Sequence, residues 1–182
     1  RRVTWKEYEL IEPSPKTSYR REITWSVFNE KANRFANLLI QRGIQKGDKV
    51  AILMMNGLEW LPIYFGVLKT GALAVPLNFR YSAEEIEYCV NLAEVHILVF
   101  GNEFIGRVEE IADRISKGRL LIYVGEGCPG FADDYNSLSA NCSSQSPMVA
   151  LTDEDYAAIY FSSGTTGFPK AILHKHRALL HS

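Results

Sequence analysis

Five short apolar runs punctuate the sequence. They are KVAILM, ALAV, VHILVF, RLLIYV and YAAIYF, beginning at residues 49, 72, 95, 119 and 156. The near-continuous run KVAILM is the mark of a strand buried on both faces, YAAIYF reads as one more buried strand, and ALAV (closed by Pro76), VHILVF and RLLIYV read as strands. The segments between the first four carry helical periodicity. Buried strands alternating with helices predict βαβ units and a parallel sheet. The right-handed crossover rule then sends helices to both faces. The expected fold class is α/β, a parallel-rich sheet with helices on both sides.

The helices have readable starts and stops. Thr24 is placed to cap a helix in which Phe28, Ala32, Phe35, Ala36 and Leu39 form one apolar stripe, and Gly43 follows its last turn. Glu30 and Arg34 have the spacing of an ion pair on another face. LEWLPIYFGVLKT reads as a helix with Pro62 in its first turn. Ser82 and Glu85 spell a capping box ahead of Ile86 and Val90. NEFIGRVEEIADRIS lines up Phe104, Val108, Ile111 and Ile115. HRALLHS at the end of the chain reads as the first turns of another helix. Residues 1–22, with EPSPKTS, read as an irregular lead-in. Residues 125–152, rich in Gly, Ser, Asn and Pro, read as a long irregular connection.

A chain of 182 residues suffices for one sizeable domain. Its net charge of −1 gives no electrostatic footprint for a nucleic acid or an anionic membrane. Cys89, Cys128 and Cys142 lie far apart with no C-x-x-C spacing, the pattern of free thiols in a reducing, cytoplasmic compartment. The most apolar stretch, WLPIYFGVLKTGALAVPL, contains Pro62, Lys69 and Gly71. It falls short of the roughly 18 uninterrupted apolar residues of a spanning helix. RRVTWKEYEL at the start lacks the apolar run of a signal peptide.

After the last buried run comes YFSSGTTGFPK, residues 160–170. Glycines there let the backbone approach a ligand closely, and successive N–H groups can form an anion-binding concavity. Hydroxyls of Ser162, Ser163, Thr165 and Thr166 add donors, and Lys170 adds a mobile cation. The Walker pattern is excluded, because Pro169 precedes the lysine and Ala171 follows it. GTTG does not fit the dinucleotide fingerprint. Residue types alone leave two readings, an anion-binding loop and a surface loop with turn chemistry.

Other residues default to structural roles. His174, His176 and His181 lack a neighbouring Cys, Asp or Glu to complete a metal set, and the first two point apart on a helix. Glu84, Glu85 and Glu87 read as a solvated helix face. Trp25, Trp60 and Phe65 read as core, and Tyr160 and Phe161 as core at the end of a strand. Asp153, Glu154 and Asp155 read as a solvated turn.

The string SSGTTGFPK, Ser162 to Lys170, resembles the phosphate-binding motif of the adenylate-forming (AMP-binding) superfamily. The resemblance extends upstream through ITWSVFNEKANRFANLLIQRGIQKGDKVAILMMNGLEWLPIYFGVLKTGALAVPLNFRYSAEEIEYCVNLAEVHILVF and covers the chain from about residue 20. The fatty-acyl-CoA synthetase branch is the most similar. It implies activation of a carboxylic acid by ATP to an acyl-adenylate, then transfer to CoA. By the same resemblance Ser162, Ser163, Gly164, Thr165, Thr166 and Gly167 wrap the β- and γ-phosphates. Lys170 stabilises departing pyrophosphate, Thr165 touches Mg2+, and His176 lies near the acyl group. Ala171 stands where the family commonly has Gly.

Family enzymes are far longer than this chain. The resemblance therefore implies a partial N-terminal domain, 1–182, without the C-terminal lid domain, inactive by itself and prone to self-association through uncovered sheet surface. The runner-up is adenylate formation for another acceptor, as in adenylation domains, or an aryl-CoA ligase. A non-catalytic α/β module that keeps an anion-binding loop is the reading from another class.

Overall fold

The computed structural model describes residues 22–115, 117–162 and 169–180. Helix α1 (Trp25–Gln41) leads into strand β1 (Lys49–Leu53), and α2 (Trp60–Lys69) into β2 (Leu73–Pro76). Then α3 (Ala83–Leu92) precedes β3 (Ile97–Gly101), and α4 (Ile105–Ile115) precedes β4 (Leu120–Val124). A two-residue strand β5 (Asp133–Asp134) and a short helix α5 (Tyr135–Ala140) follow. Strands β6 (Tyr156–Ser162) and β7 (Lys170–Lys175) and helix α6 (His176–Leu180) complete the described chain.

The strands form one sheet in the order β5-β4-β3-β1-β2-β6-β7. Every pairing is parallel except that of β6 with β7, which is antiparallel. Successive side chains of a strand point to opposite faces, which sorts the core into two layers. Ala51, Leu53, Leu98, Phe100, Leu121 and Tyr123 pack with Ile86 and Val90 of α3 and Val108 and Ile111 of α4. Val50, Ile52, Ile97, Val99 and Ile122 pack with Phe35 and Leu39 of α1 and Ile63 and Val67 of α2. Helices on both faces of a mostly parallel sheet are what the buried runs predict.

The local signals hold as well. Thr24 Oγ1 accepts from the Val27 N–H at 3.2 Å, and the Ser82–Glu85 box is reciprocal, at 3.2 and 2.8 Å. Gly43 adopts φ +85° just past α1, a conformation costly for any residue with a Cβ. Glu87 of the acidic face pairs with Arg114 at 2.9 Å.

Four expectations fail locally. Residues 125–152 are not wholly irregular, since they carry β5 and α5. Asp134 caps α5 by accepting from the Ser137 N–H at 2.8 Å, and the Tyr135 ring packs 5.7 Å from Phe35. Six residues are too few to show a period in sequence. Arg34 does not pair with Glu30. Its guanidinium donates to the carbonyls of Ala140 and Cys142 at 3.0 and 2.6 Å. The segment from Asn102 opens as a 3-10 turn, Asn102–Phe104, before α4 begins. Trp25 is 85% exposed and Phe65 is 43% exposed, so neither is core. Trp25 is the first residue of α1, and its ring makes a T-shaped contact with Phe28 at 5.7 Å.

Candidate functional site

The parallel strands β1, β2, β3, β4 and β6 end along one edge of the sheet. In open α/β sheets, ligands bind beyond such carboxyl ends. Strand β6 delivers Ser162 to that edge, and β7 begins there with Lys170. The two residues are register partners, the last pair of the β6–β7 ladder on that side. Both are exposed, whereas Pro169, which turns the chain into β7, is buried. Thus the ends of the hydroxyl- and glycine-rich loop are pinned side by side. Ser163, Gly164, Thr165, Thr166 and Gly167 themselves lie outside the described residues.

Strand β7 has no counterpart in the sequence reading. It carries the chain back across the sheet, and His176 opens α6 at the far edge. His176 lies six positions after Lys170, roughly 20 Å along an extended strand. The structure therefore brings Ser162 and Lys170 together and leaves His176 at the opposite end of β7. There the His176 N–H donates to the Asp155 carbonyl at 3.0 Å, while its Nε2 is buried without a partner among the described residues. The His174 and Tyr160 rings meet in a T-shaped contact with centroids 5.1 Å apart. Among the described residues no cluster of His, Cys, Asp or Glu could hold a metal ion.

In the acidic turn Asp153 and Glu154 are exposed, as expected, whereas Asp155 is partly buried, and the turn also clamps the far edge. Asp155 accepts from Lys46 Nζ at 2.7 Å and from the Thr152 N–H at 2.7 Å. Glu154 accepts from Lys175 at 2.8 Å and from Arg177. The Lys46 bond holds the Asp155 carboxyl below its ordinary range, and the Lys175 bond does the same for Glu154. These carboxylates are occupied by lysine and arginine and not offered to a metal.

Two features escaped the sequence. The Tyr64 hydroxyl on α2 lies 2.8 Å from the Tyr160 hydroxyl on β6, a pair 96 residues apart that no local pattern announces. Burial, and then the hydrogen bond with Tyr160, push the Tyr64 phenol up, so the Tyr64 hydroxyl keeps its proton. A crevice of about 440 Å³ also opens at the ends of β1, β3 and β4. Glu59, Glu103 and Glu126 on its walls make it unsuited to a polyphosphate.

Known proteins share this arrangement. A family model described as "AMP-binding enzyme" matches residues 10–182. A long-chain-fatty-acid–CoA ligase of Mycobacterium tuberculosis is 32% identical over 170 residues, covering 93% of this chain and 32% of that protein. A 3-hydroxybenzoate–CoA/4-hydroxybenzoate–CoA ligase of Thauera aromatica is 32% identical over 165 residues, 88% of this chain and 31% of that protein. Among solved structures, an anthranilate CoA ligase in complex with anthranoyl-AMP superposes with a TM-score of 0.82. It is 29% identical, over 86% of this chain and 30% of that one. The chain thus spans about a third of the length of the relatives it matches.

Proposed function

The chain belongs to the AMP-binding enzyme family, and from that premise we propose that it is the phosphate-binding part of an ATP-dependent acyl-CoA synthetase. The observation that carries the proposal is the Ser162–Lys170 pair, which holds both ends of the loop at the carboxyl edge of the parallel sheet. In the proposed reaction an oxygen of the acid's carboxylate attacks the α-phosphorus of ATP. The bond from that phosphorus to pyrophosphate breaks and leaves an acyl-adenylate. The sulfur of CoA then attacks the acyl carbon and displaces AMP, forming the thioester.

Each loop residue has a part. Ser162, Ser163, Gly164, Thr165, Thr166 and Gly167 present N–H and hydroxyl donors to the β- and γ-phosphates. Lys170 balances the charge that grows on departing pyrophosphate, a stabilisation exerted mainly in the transition state. Magnesium would arrive on the nucleotide's phosphates, and the Thr165 hydroxyl would be this chain's contact to it. His176 is left out of the loop's ligand set because β7 carries it to the other edge.

The acid is proposed to be a fatty acid, in line with the mycobacterial relative. Equal identity to the hydroxybenzoate ligase favours an aryl acid as the second reading. The adenine, ribose and acyl pockets and a lid domain belong, in this proposal, to the two thirds of the relatives' length that the chain does not span. The three cysteines are all free, which supports a reducing compartment such as the cytoplasm. No helix among the described residues is long and apolar enough to cross a membrane.

The test is pyrophosphate release by the complete protein given ATP, magnesium and a panel of carboxylic acids, with and without CoA. Acid-dependent release is expected, with the preferred acid deciding between the fatty and aryl readings. Release that then requires CoA for thioester formation separates a CoA ligase from an adenylation domain. A folded protein that releases no pyrophosphate with any acid would leave the loop as an anion-binding module without this chemistry.

A further inference from the structure

Strand β6 outruns its inner neighbour. Strand β2 pairs with it only at Ala74↔Ala158 and ends at Pro76, whereas β6 continues to Ser162. Carried forward in register, Pro76 falls opposite Tyr160 and nothing of β2 reaches Phe161 or Ser162. Proline has no N–H to add to the ladder. Among the described residues Phe161 and Ser162 are paired on one side only, with Ala171 and Lys170 of β7. The phosphate-binding loop is thus mounted on a two-stranded overhang, and two paired strands hold poorly without a face packed against something else.

Two contacts tie the overhang to the body. Phe161 packs against the core layer beneath α3 and α4. On the other face Tyr160 meets Tyr64 hydroxyl to hydroxyl at 2.8 Å. Tyr64 is itself fixed, since it is 8% exposed and Trp60 stacks on it at 5.4 Å with an interplanar angle of 11°. The His174 ring then braces Tyr160 from β7 in a T-shaped contact. Tyr64, Tyr160 and His174 make a continuous run from α2 through β6 to β7, two residues short of the loop.

We propose that Tyr160 is a positioning residue for the phosphate-binding loop: its hydroxyl bond to Tyr64 sets the height and twist of the β6–β7 overhang against α2, and so the places of Ser162 and Lys170. The proposal rests on the nucleotide reading above. A displacement of about 1 Å in groups that grip a reacting phosphate costs far more in rate than in stability. One hydroxyl pair can therefore matter to ATP while contributing little to folding.

The experiment uses the complete protein as wild type, Tyr160→Phe, Tyr64→Phe and the double variant. Phenylalanine keeps both rings and removes only the bond. Equilibrium binding of magnesium-ATP by calorimetry and the KM for ATP are expected to weaken about fivefold in either single variant. The double variant should be no worse than the weaker single one, because both substitutions delete the same bond. The KM for the acid should stay as in the wild type. Unchanged ATP binding in Tyr160→Phe, losses that multiply in the double variant, or an equal rise in the acid's KM would overturn the proposal. If the wild type binds ATP but shows no acid-dependent pyrophosphate release, the synthetase reading fails and the binding series still decides the role of Tyr160. A wild type that binds no ATP overturns both.

Discussion

Lys170 and Gly66 mark two kinds of single-residue constraint. Lys170 is exposed beside Ser162, and its charge serves the proposed chemistry and not the fold. Lys170→Ala should therefore leave the melting temperature nearly unchanged and lower the rate of acid-dependent pyrophosphate exchange by roughly 100-fold, the order seen when one preorganised charge-stabilising donor is lost. The KM for the acid should hardly move, and a parallel loss in acid binding would place the lysine in general structure instead. Gly66 lies on α2 where it crosses α1. A Cβ there would sit 2.9 Å from both the Ala32 carbonyl oxygen and Phe35 Cδ1, and the backbone partner cannot step aside. Gly66→Ala should lower unfolding free energy by about 1–3 kcal/mol, measured by denaturant titration, through overpacking. The lysine was legible from its motif. Gly66 and the Tyr64–Tyr160 pair were not, because each depends on a neighbour supplied by another element.

At the scale of elements, the far end of the β6–β7 hairpin is held by charge. Asp155 bonds Lys46 ahead of β1, while Glu154 bonds Lys175 of β7 and Arg177 of α6. Both carboxyls titrate below their ordinary values of 3.8 and 4.5, so the unfolded chain binds these protons more tightly than the folded one. Their stabilisation is complete above those values and is lost as pH falls through the lowered ones. Asp155→Asn should thus melt below the wild type at pH 6–7, with the difference shrinking as the pH is taken down to about 3. A difference that stays constant across that range would show that the Lys46 bond contributes no pH-linked stability. Because Lys46 is exposed and Asp155 still reaches solvent, high salt should narrow the difference at neutral pH too. The same hairpin explains an element the sequence concealed. KAILHK has no turn signal or period that distinguishes it from a continuing loop, and it becomes β7 only by pairing with β6, a contact the motif loop makes possible. The capped helices α1 and α3, by contrast, carry their own start signals and appear where Thr24 and Ser82 put them.

Across the whole molecule, the alternation of buried runs was sufficient to predict a parallel-rich sheet with two helical layers, because a strand covered on both faces must be apolar on both. It could not predict how the sheet ends, since an edge is defined by what fails to pair. One edge closes with the two residues of β5. Among the described residues the other is β7, six residues long, with Ile172 and Leu173 respectively 46% and 47% exposed and no further described strand paired to its outer side. A long edge with apolar side chains is a template for another strand. The chain spans about a third of its relatives' length, so the rest of a family enzyme would be the natural cover. The 182-residue chain by itself should therefore self-associate through β7. Antiparallel pairing of two such edges would bring Lys170 of one copy near Lys175 of the other. That repulsion opposes the apolar contact, and added salt should promote association by screening it. Light scattering at rising protein concentration and two salt levels tests this. Ile172→Lys, which sets a charge on the exposed strand, should shift the population toward monomer. A wild-type chain that stays monodisperse at high concentration and high salt would show that the lysines and the twist of β7 already protect the edge.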